Sequence, residues 1–230
     1  MKVPIIEARK LTNNNKTIPI TSMQLLLNRK FINLIPNFFS MVGNIPNFTK
    51  MDILRCFLRF SKNVGRQELS RELELGEGTV RTILDALKSK KLLDSTKKGH
   101  FLSKKGEEAL KHISSHVSLP KIINTGLYPG FKKAGVHVKN VSNLKEIYKL
   151  RDMAVKNGAE GAIILKFEGK LYAPEADYEY NYRGLERNFE LKNNDVLVIG
   201  FSGEKRSAEN GALAVAIELD NALKSFITEF

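Results

Sequence analysis

Between Gly76 and Lys88 the residues Val80, Ile83, Leu84 and Leu87 recur at i, i+3, i+4 and i+7, the spacing of a helix with one buried stripe. Its flanks narrow the fold further. Upstream, Thr49 and Asp52 form an N-cap signature for a helix running to about Ser61, with Ile53, Leu54, Phe57, Leu58 and Phe60 as its apolar face. Val64–Gly65 then breaks the chain. Arg66–Leu73 predicts a short helix with Leu69 and Leu73 inward, and Gly76 allows a tight turn. Downstream, Leu92–Thr96 and His100–Leu102 are strand-like runs about Lys97-Lys98-Gly99, a hairpin with a dibasic tip. Ser103 is placed to cap a further helix with Ala109, Leu110 and Ile113 inward, ending near Val117.

Stepping 100° per residue away from the stripe leaves Gly78, Thr82, Asp85 and Ser89 facing outward, with Arg81 and Lys88 on one flank and Thr79 on the other. Short side chains at a helix N-terminus permit close approach to a duplex groove. The helix dipole favours phosphate there, and Arg and Thr donate to base edges or backbone oxygens. The candidate DNA-binding set is therefore Gly78 at the close-approach end of the helix, Thr79, Arg81 and Thr82 near bases, and Lys88, Lys97, Lys98 and His100 near phosphates. Asp85 either accepts from a cytosine or lies beyond the DNA.

The order helix, helix, turn, helix, basic hairpin, helix resembles a winged helix-turn-helix over residues 47–117. The run Glu68-Leu69-Ser70-Arg71-Glu72-Leu73-Glu74-Leu75-Gly76-Glu77-Gly78-Thr79-Val80-Arg81 is similar to the core of that motif in prokaryotic regulators. Ser70 stands where the motif has a small residue at the helix crossing. Lys91 departs from the pattern, since these regulators commonly have Gly there, and a non-glycine residue in the left-handed conformation costs about 1 kcal/mol or more. The resemblance implies binding of double-stranded DNA. The same fold also serves as a protein-docking or RNA-associated adaptor, and that alternative stays open.

Charge divides the chain. The 230 residues carry 37 Lys+Arg against 25 Asp+Glu, a net charge of +12. Residues 1–46 hold 6 basic against 1 acidic residue, 47–117 hold 15 against 9, and 118–230 hold 16 against 15. A basic front half and a nearly neutral back half predict different partners, with polyanions at the front. Length allows two small domains. The expected division is a poorly structured basic segment at 1–46, a winged helix at 47–118 and an α/β sandwich at 119–230.

In the opening segment, Asn13-Asn14-Asn15 and Pro4, Pro19, Pro36 and Pro46 break every candidate element. The apolar stretch from Leu25 to Phe39 is interrupted by Arg29, Lys30 and Pro36, which predicts no membrane span. Two readings of residues 1–40 are a basic arm on the DNA backbone and a translation start at Met41. The single cysteine, Cys56, cannot form an internal bridge and reads as a packing residue in a reducing, cytoplasmic setting. His112 and His116 lie at i, i+4 after Glu108 but lack a fourth ligand, so no metal is expected and the helix tail reads as solvated.

After Leu119–Pro120, Ala134–Val138 reads as a strand and Ser142 as the cap of a helix through Leu144, Ile147, Tyr148, Met153 and Ala154, stopped by Asn157–Gly158. Gly161–Phe167 and Leu171–Ala173 flank Glu168-Gly169-Lys170 as a hairpin. Asp195–Phe201 is a near-continuous apolar strand, and one last helix spans about Gly203 to Ile227. The sum is a two-layer α/β sandwich whose helices cover one sheet face and whose second face needs a partner. Tyr178, Tyr180 and Tyr182 alternate as on one face of an extended segment, near Glu175 and Asp177, and are candidates for a small-ligand pocket or a dimer contact. Ser202–Gly203 offers a weak anion signal at a helix start. Nothing resembles a catalytic triad, a P-loop, a paired-carboxylate site or a dinucleotide fingerprint, so neither an enzyme nor a cofactor is expected.

Across both halves, Leu75-Gly76-Glu77-Gly78-Thr79-Val80-Arg81-Thr82 and Gly158-Ala159-Glu160-Gly161-Ala162-Ile163-Ile164-Leu165 resemble an archaeal winged-helix family carrying domain of unknown function 4443 with a GAD-like C-terminal domain. The fold class implied is α+β, an N-terminal winged helix-turn-helix plus a C-terminal two-layer α/β sandwich. The function implied is a transcriptional regulator, with no ligand to carry over from the family. The expectation drawn from both halves is a cytoplasmic protein that binds double-stranded DNA, its second domain forming a homodimer, sensing a small-molecule effector, or both.

Overall fold

In the computed structural model, residues 47–176 and 180–230 are described; the opening segment at 1–46, to which the basic-arm and Met41-start readings belong, lies outside them, as do Asp177 and Tyr178. The fold is mixed α+β with antiparallel sheets. The first half comprises α1 (Lys50–Phe57), α2 (Arg66–Leu73), α3 (Glu77–Ser89), β1 (Leu93–Thr96), β2 (Gly99–Leu102) and α4 (Lys104–His116). The capping box of α1 forms as its sequence predicts, the Asp52 carboxylate accepting from the Thr49 N–H at 2.9 Å. Ser103 caps α4 by accepting from the Gly106 N–H at 3.0 Å.

Two backbone details differ from expectation. The turn between α2 and α3 bends at Glu74, with φ 53°, while Gly76 is an extended N-cap with φ −61°. The exit of α3 does use the left-handed conformation, and Lys91 adopts it at φ 58°. The Leu92 N–H then donates back to the Leu87 carbonyl at 3.0 Å, closing the helix end. Val64, at the expected break, pairs with His100 of β2 through two backbone hydrogen bonds of 2.9 and 3.0 Å, a single bridge on the open side of the two-stranded hairpin. Gly99 permits this, because a Cβ there would lie 2.9 Å from the Val64 carbonyl oxygen.

The second half is a five-stranded sheet of order β3-β4-β7-β5-β6, antiparallel throughout. Its strands are β3 (Lys121–Ile122), β4 (Lys132–Val138), β5 (Gly161–Phe167), β6 (Leu171–Tyr172) and β7 (Val196–Ser202), with helices α5 (Ile147–Lys156), α6 (Arg183–Glu186), α7 (Lys205–Leu219) and α8 (Asn221–Thr228). Helix α5 starts after Glu146, four residues beyond the Ser142 expected to cap it. The expected single last helix is two, because extended Asp220 interrupts it and caps α8 by accepting from the Leu223 N–H at 2.9 Å.

Central strand β7 is buried along its whole length, which explains its unbroken apolar run: both faces are covered. Val196 and Val198 join the core under α5 and α7. Leu197 and Ile199 join a second cluster with Ile123, Leu165, Leu171, Tyr182, Leu185 and Phe189. The second sheet face therefore needs no outside partner; the chain's own α6 and flanking loops fill it. Strand β7 meets α7 almost backbone to backbone at Gly200, where a Cβ would stand 2.3 Å from the Ala208 carbonyl oxygen.

The core beneath α7 continues without interruption into the helices of the first half. Phe57 of α1 stacks on Phe226 of α8 with ring centroids 5.0 Å apart. Charged groups are buried at the same seam. The Arg55 guanidinium, fully buried, donates to Glu209 Oε2 at 2.6 and 2.8 Å, to Asp52 Oδ1 at 2.8 Å and to the Leu73 carbonyl at 3.2 Å. Arg206 holds the other Asp52 oxygen at 2.7 Å and Arg59 the other Glu209 oxygen at 3.1 Å. Cys56 is buried beside this network, and burial pushes its thiol up to about 12, so it is a packing residue.

A third buried carboxylate, Asp195, ties the end of β4 to the start of β7, accepting from His137 Nε2 at 2.7 Å, the Asn140 N–H at 2.9 Å and the Lys192 N–H at 2.8 Å. Burial alone raises its pKa, but the hydrogen bonds from Asn140, Lys192 and His137 outweigh this and hold it below the usual carboxylate range. A depressed folded-state value stabilises the protein above the unfolded pKa, near 4, and the contribution disappears as pH falls through the folded value. Denaturant midpoints of the native chain are therefore expected to fall below about pH 4, with a shallower acid loss in Asp195→Asn. Equal slopes for the two proteins would contradict this assignment.

Candidate nucleic-acid interface

The stripe Val80, Ile83, Leu84 and Leu87 is buried, which turns the opposite side of α3 to solvent. Gly78, Arg81, Thr82, Asp85 and Ser89 are all exposed, as the helical spacing predicts, and Thr79 is half-buried. Thr82 donates its hydroxyl to the Gly78 carbonyl at 3.2 Å and keeps its acceptor lone pairs outward. Gly78 has open space where a Cβ would stand, so close approach is unobstructed. Lys97 and Lys98 form the exposed turn between Thr96 and Gly99. Among the described residues the side chains of Arg81, Lys97 and Lys98 make no ion pair and are available to an external anion.

His100 lies on β2 of the hairpin. Its ring is half-buried, and Nδ1 is fully covered without a hydrogen-bond partner. Burial lowers its pKa, the Lys88 and Arg66 cations lower it further, and Asp85 opposes them only partly, leaving a neutral imidazole near pH 7. His100 pairs with Ser95 one position from the hairpin turn, within the electrostatic reach of Lys88, Asp85 and Arg66. Lys88 is drawn toward Asp85 at 3.9 Å, a loose contact between partly exposed side chains.

Arg66 is missing from the sequence-derived set. It opens α2 and reaches across the turn to Glu77 at 3.0 Å, so its cation sits at the N-terminus of α3. The legible signal was its place as the first residue after Gly65, pointing a long basic side chain at the start of the next helix.

The tyrosine set divides. Tyr180 is exposed while Tyr182 is buried in the second sheet-face core, their rings 4.9 Å apart. With Tyr172, Arg183 and Glu186 they line an open cavity of about 730 Å³. Ser202 ends β7 and Glu204 caps α7, placing a carboxylate where an anion was weighed at that helix start. His116 Nδ1 lies 2.8 Å from Asp220 Oδ2, which gives the helix tail a structural partner. Among the described residues no group of three or more His, Cys, Asp or Glu stands at metal-binding spacing, and no helix is long and apolar enough to cross a membrane.

The chain is an α+β protein whose first half holds four helices and a basic hairpin and whose second half holds an antiparallel sheet. Residues 50–108 match the family described as PH0730-like, N-terminal domain, and residues 129–219 match domain of unknown function DUF4443. Among solved structures, the hypothetical protein PH0730 from Pyrococcus horikoshii OT3 is similar, with a TM-score of 0.65 and 29% identity over 77% of this chain and 98% of that one. No curated protein matches.

Proposed function

We propose that the protein is a transcriptional regulator, residues 47–117 forming a winged helix-turn-helix that binds double-stranded DNA. One observation carries the reading: an exposed, small and polar side of α3, headed by unpaired Arg81, stands beside a hairpin whose first strand packs against that helix and whose tip carries two unpaired lysines. In this reading α3 enters the major groove, Arg81 and Thr82 reach base edges, and Lys97 and Lys98 take phosphates. Neutral His100 serves as an Nε2–H donor, since its other ring nitrogen is enclosed. The GAD-like reading of the second half rests on the sequence resemblance of residues 158–165. One 13-residue helix reads only a short half-site, which favours a homodimer with its helices about 34 Å apart.

The test is equilibrium binding to genomic duplex fragments across a salt series. Lys97→Ala with Lys98→Ala is expected to reduce the slope of log K against log salt by about 0.9 for each phosphate that the variant no longer neutralises. Arg81→Ala should weaken the preferred site by about 1–3 kcal/mol and relax specificity there. An unchanged slope, or retention of a protein partner in place of DNA, rejects the proposal.

A further inference from the structure

A groove of about 500 Å³ opens where the C-terminal end of α4 meets the sheet edge, lined by Lys121 of β3, Lys139 and His137 at the end of β4, and Arg187 after α6. Two of its cations contact only neutral groups. Lys121 Nζ donates to the Asn188 carbonyl at 3.2 Å and lies over the Phe189 ring, and Lys139 Nζ donates to the Ser114 carbonyl at 2.9 Å. Arg187 has no partner among the described residues. No carboxylate pairs with any of the three; Glu190, also on the wall, stands outside ion-pair distance. The one acid engaged nearby, Asp195, is spent on buried His137 and backbone N–H groups.

Three cations around a concavity that holds the single carboxylate of Glu190, unpaired with any of them, leave a net positive potential that an anion satisfies. The size suits a small molecule. We infer that this groove binds a small phosphorylated molecule, its phosphoryl oxygens taken by Arg187, Lys139 and Lys121. Ser114 lies about 15 Å along α4 from the hairpin end of that helix, so the groove is distinct from the α3 face and requires nothing of the DNA-binding reading. A ligand there touches α4 from the first half and β4 from the second.

The experiment is calorimetric titration of the full chain with inorganic phosphate, pyrophosphate and AMP, without DNA. Saturable one-to-one binding of at least one probe is expected, weakened at least about tenfold in Arg187→Ala and further in Arg187→Ala with Lys139→Ala, since each removed side chain supplies a charge-assisted hydrogen bond. Tighter binding of AMP than of pyrophosphate assigns an organic moiety to the ligand, and the reverse assigns a bare anion. Both mutated side chains are exposed, and unchanged melting without ligand verifies that they leave the fold intact. Lys97→Ala with Lys98→Ala should bind every probe normally, so this site and the DNA-binding reading succeed or fail separately. No saturable binding, equal binding by the Arg187 variants, or displacement of the probe by a duplex oligonucleotide overturns the inference.

Discussion

Arg55→Ala is expected to lower the unfolding free energy by about 3–5 kcal/mol, because it removes one partner from a buried ion cluster and leaves the others uncompensated. The guanidinium is fully enclosed and its hydrogen bonds join three elements: Asp52 on its own helix, the Leu73 carbonyl at the end of α2, and Glu209 on α7. Deleting it strands the Leu73 carbonyl and leaves Glu209 with Arg59 alone. Asp52 keeps Arg206 and the Thr49 N–H. Burial raises the Asp52 pKa, but those two contacts and the nearby arginine charges hold it below the ordinary value. Its stabilising contribution therefore also disappears at acid pH. Urea unfolding at pH 7 measures the effect. A double change to Arg55→Met and Glu209→Met should cost less than the sum of the single changes, since apolar side chains of similar volume remove charge and counter-charge together. A loss below about 1 kcal/mol for Arg55→Ala would mean that water reaches the cluster.

That cluster marks where reading the sequence stopped. Local signals were strong wherever one face of an element repeated: the stripe of α3, the capping box at Thr49 and the dibasic turn all follow from spacing and short-range hydrogen bonding. Arg55 and Glu209 lie 154 positions apart, and each in isolation resembles an ordinary charged residue on an amphipathic helix. Only the packing of α1 on α7 turns them inward. Asp220 was hidden inside an apolar run for a related reason, because a residue that caps α8 and pairs with His116 looks in one dimension like a polar position on a continuing helix. The covering of the second sheet face was equally obscure. Its layer comes from Ile123, Leu185 and Phe189, apolar residues scattered through stretches without period, and Gly135 lets them close down: a Cβ there would lie 2.3 Å from Ile123 Cδ1 and 2.7 Å from Phe189 Cζ. In the α3 site, His100 was legible as a basic hairpin residue, but not the burial of its Nδ1 or its backbone pairing with Val64.

Gly106→Ala and Gly78→Ala are the same chemical change on neighbouring helices, and they are expected to have opposite signs. In α4, a Cβ on Gly106 would lie 2.0 Å from the Leu92 carbonyl oxygen and 3.2 Å from Leu102 Cδ2. Leu92 is the link from α3 to the hairpin, pinned by the hydrogen bond from its N–H to the Leu87 carbonyl and by acceptance from the Ser103 N–H at 3.1 Å. Neither backbone can yield alone. The methyl group must push α4 off the hairpin base, at about 3 kcal/mol, the upper part of the overpacking range. In α3, a Cβ on Gly78 meets nothing within 4 Å, and alanine restricts the unfolded chain, so stability should rise by up to about 1 kcal/mol. Thermal melting checks both. The consequences for DNA should cross over: Gly106→Ala weakens binding in step with its loss of fold, whereas Gly78→Ala places a methyl group on the surface proposed to enter the groove and weakens binding while the protein becomes more stable. A Gly78→Ala protein that is stabilised and binds DNA as tightly as the native chain would show that this end of α3 does not approach a duplex closely.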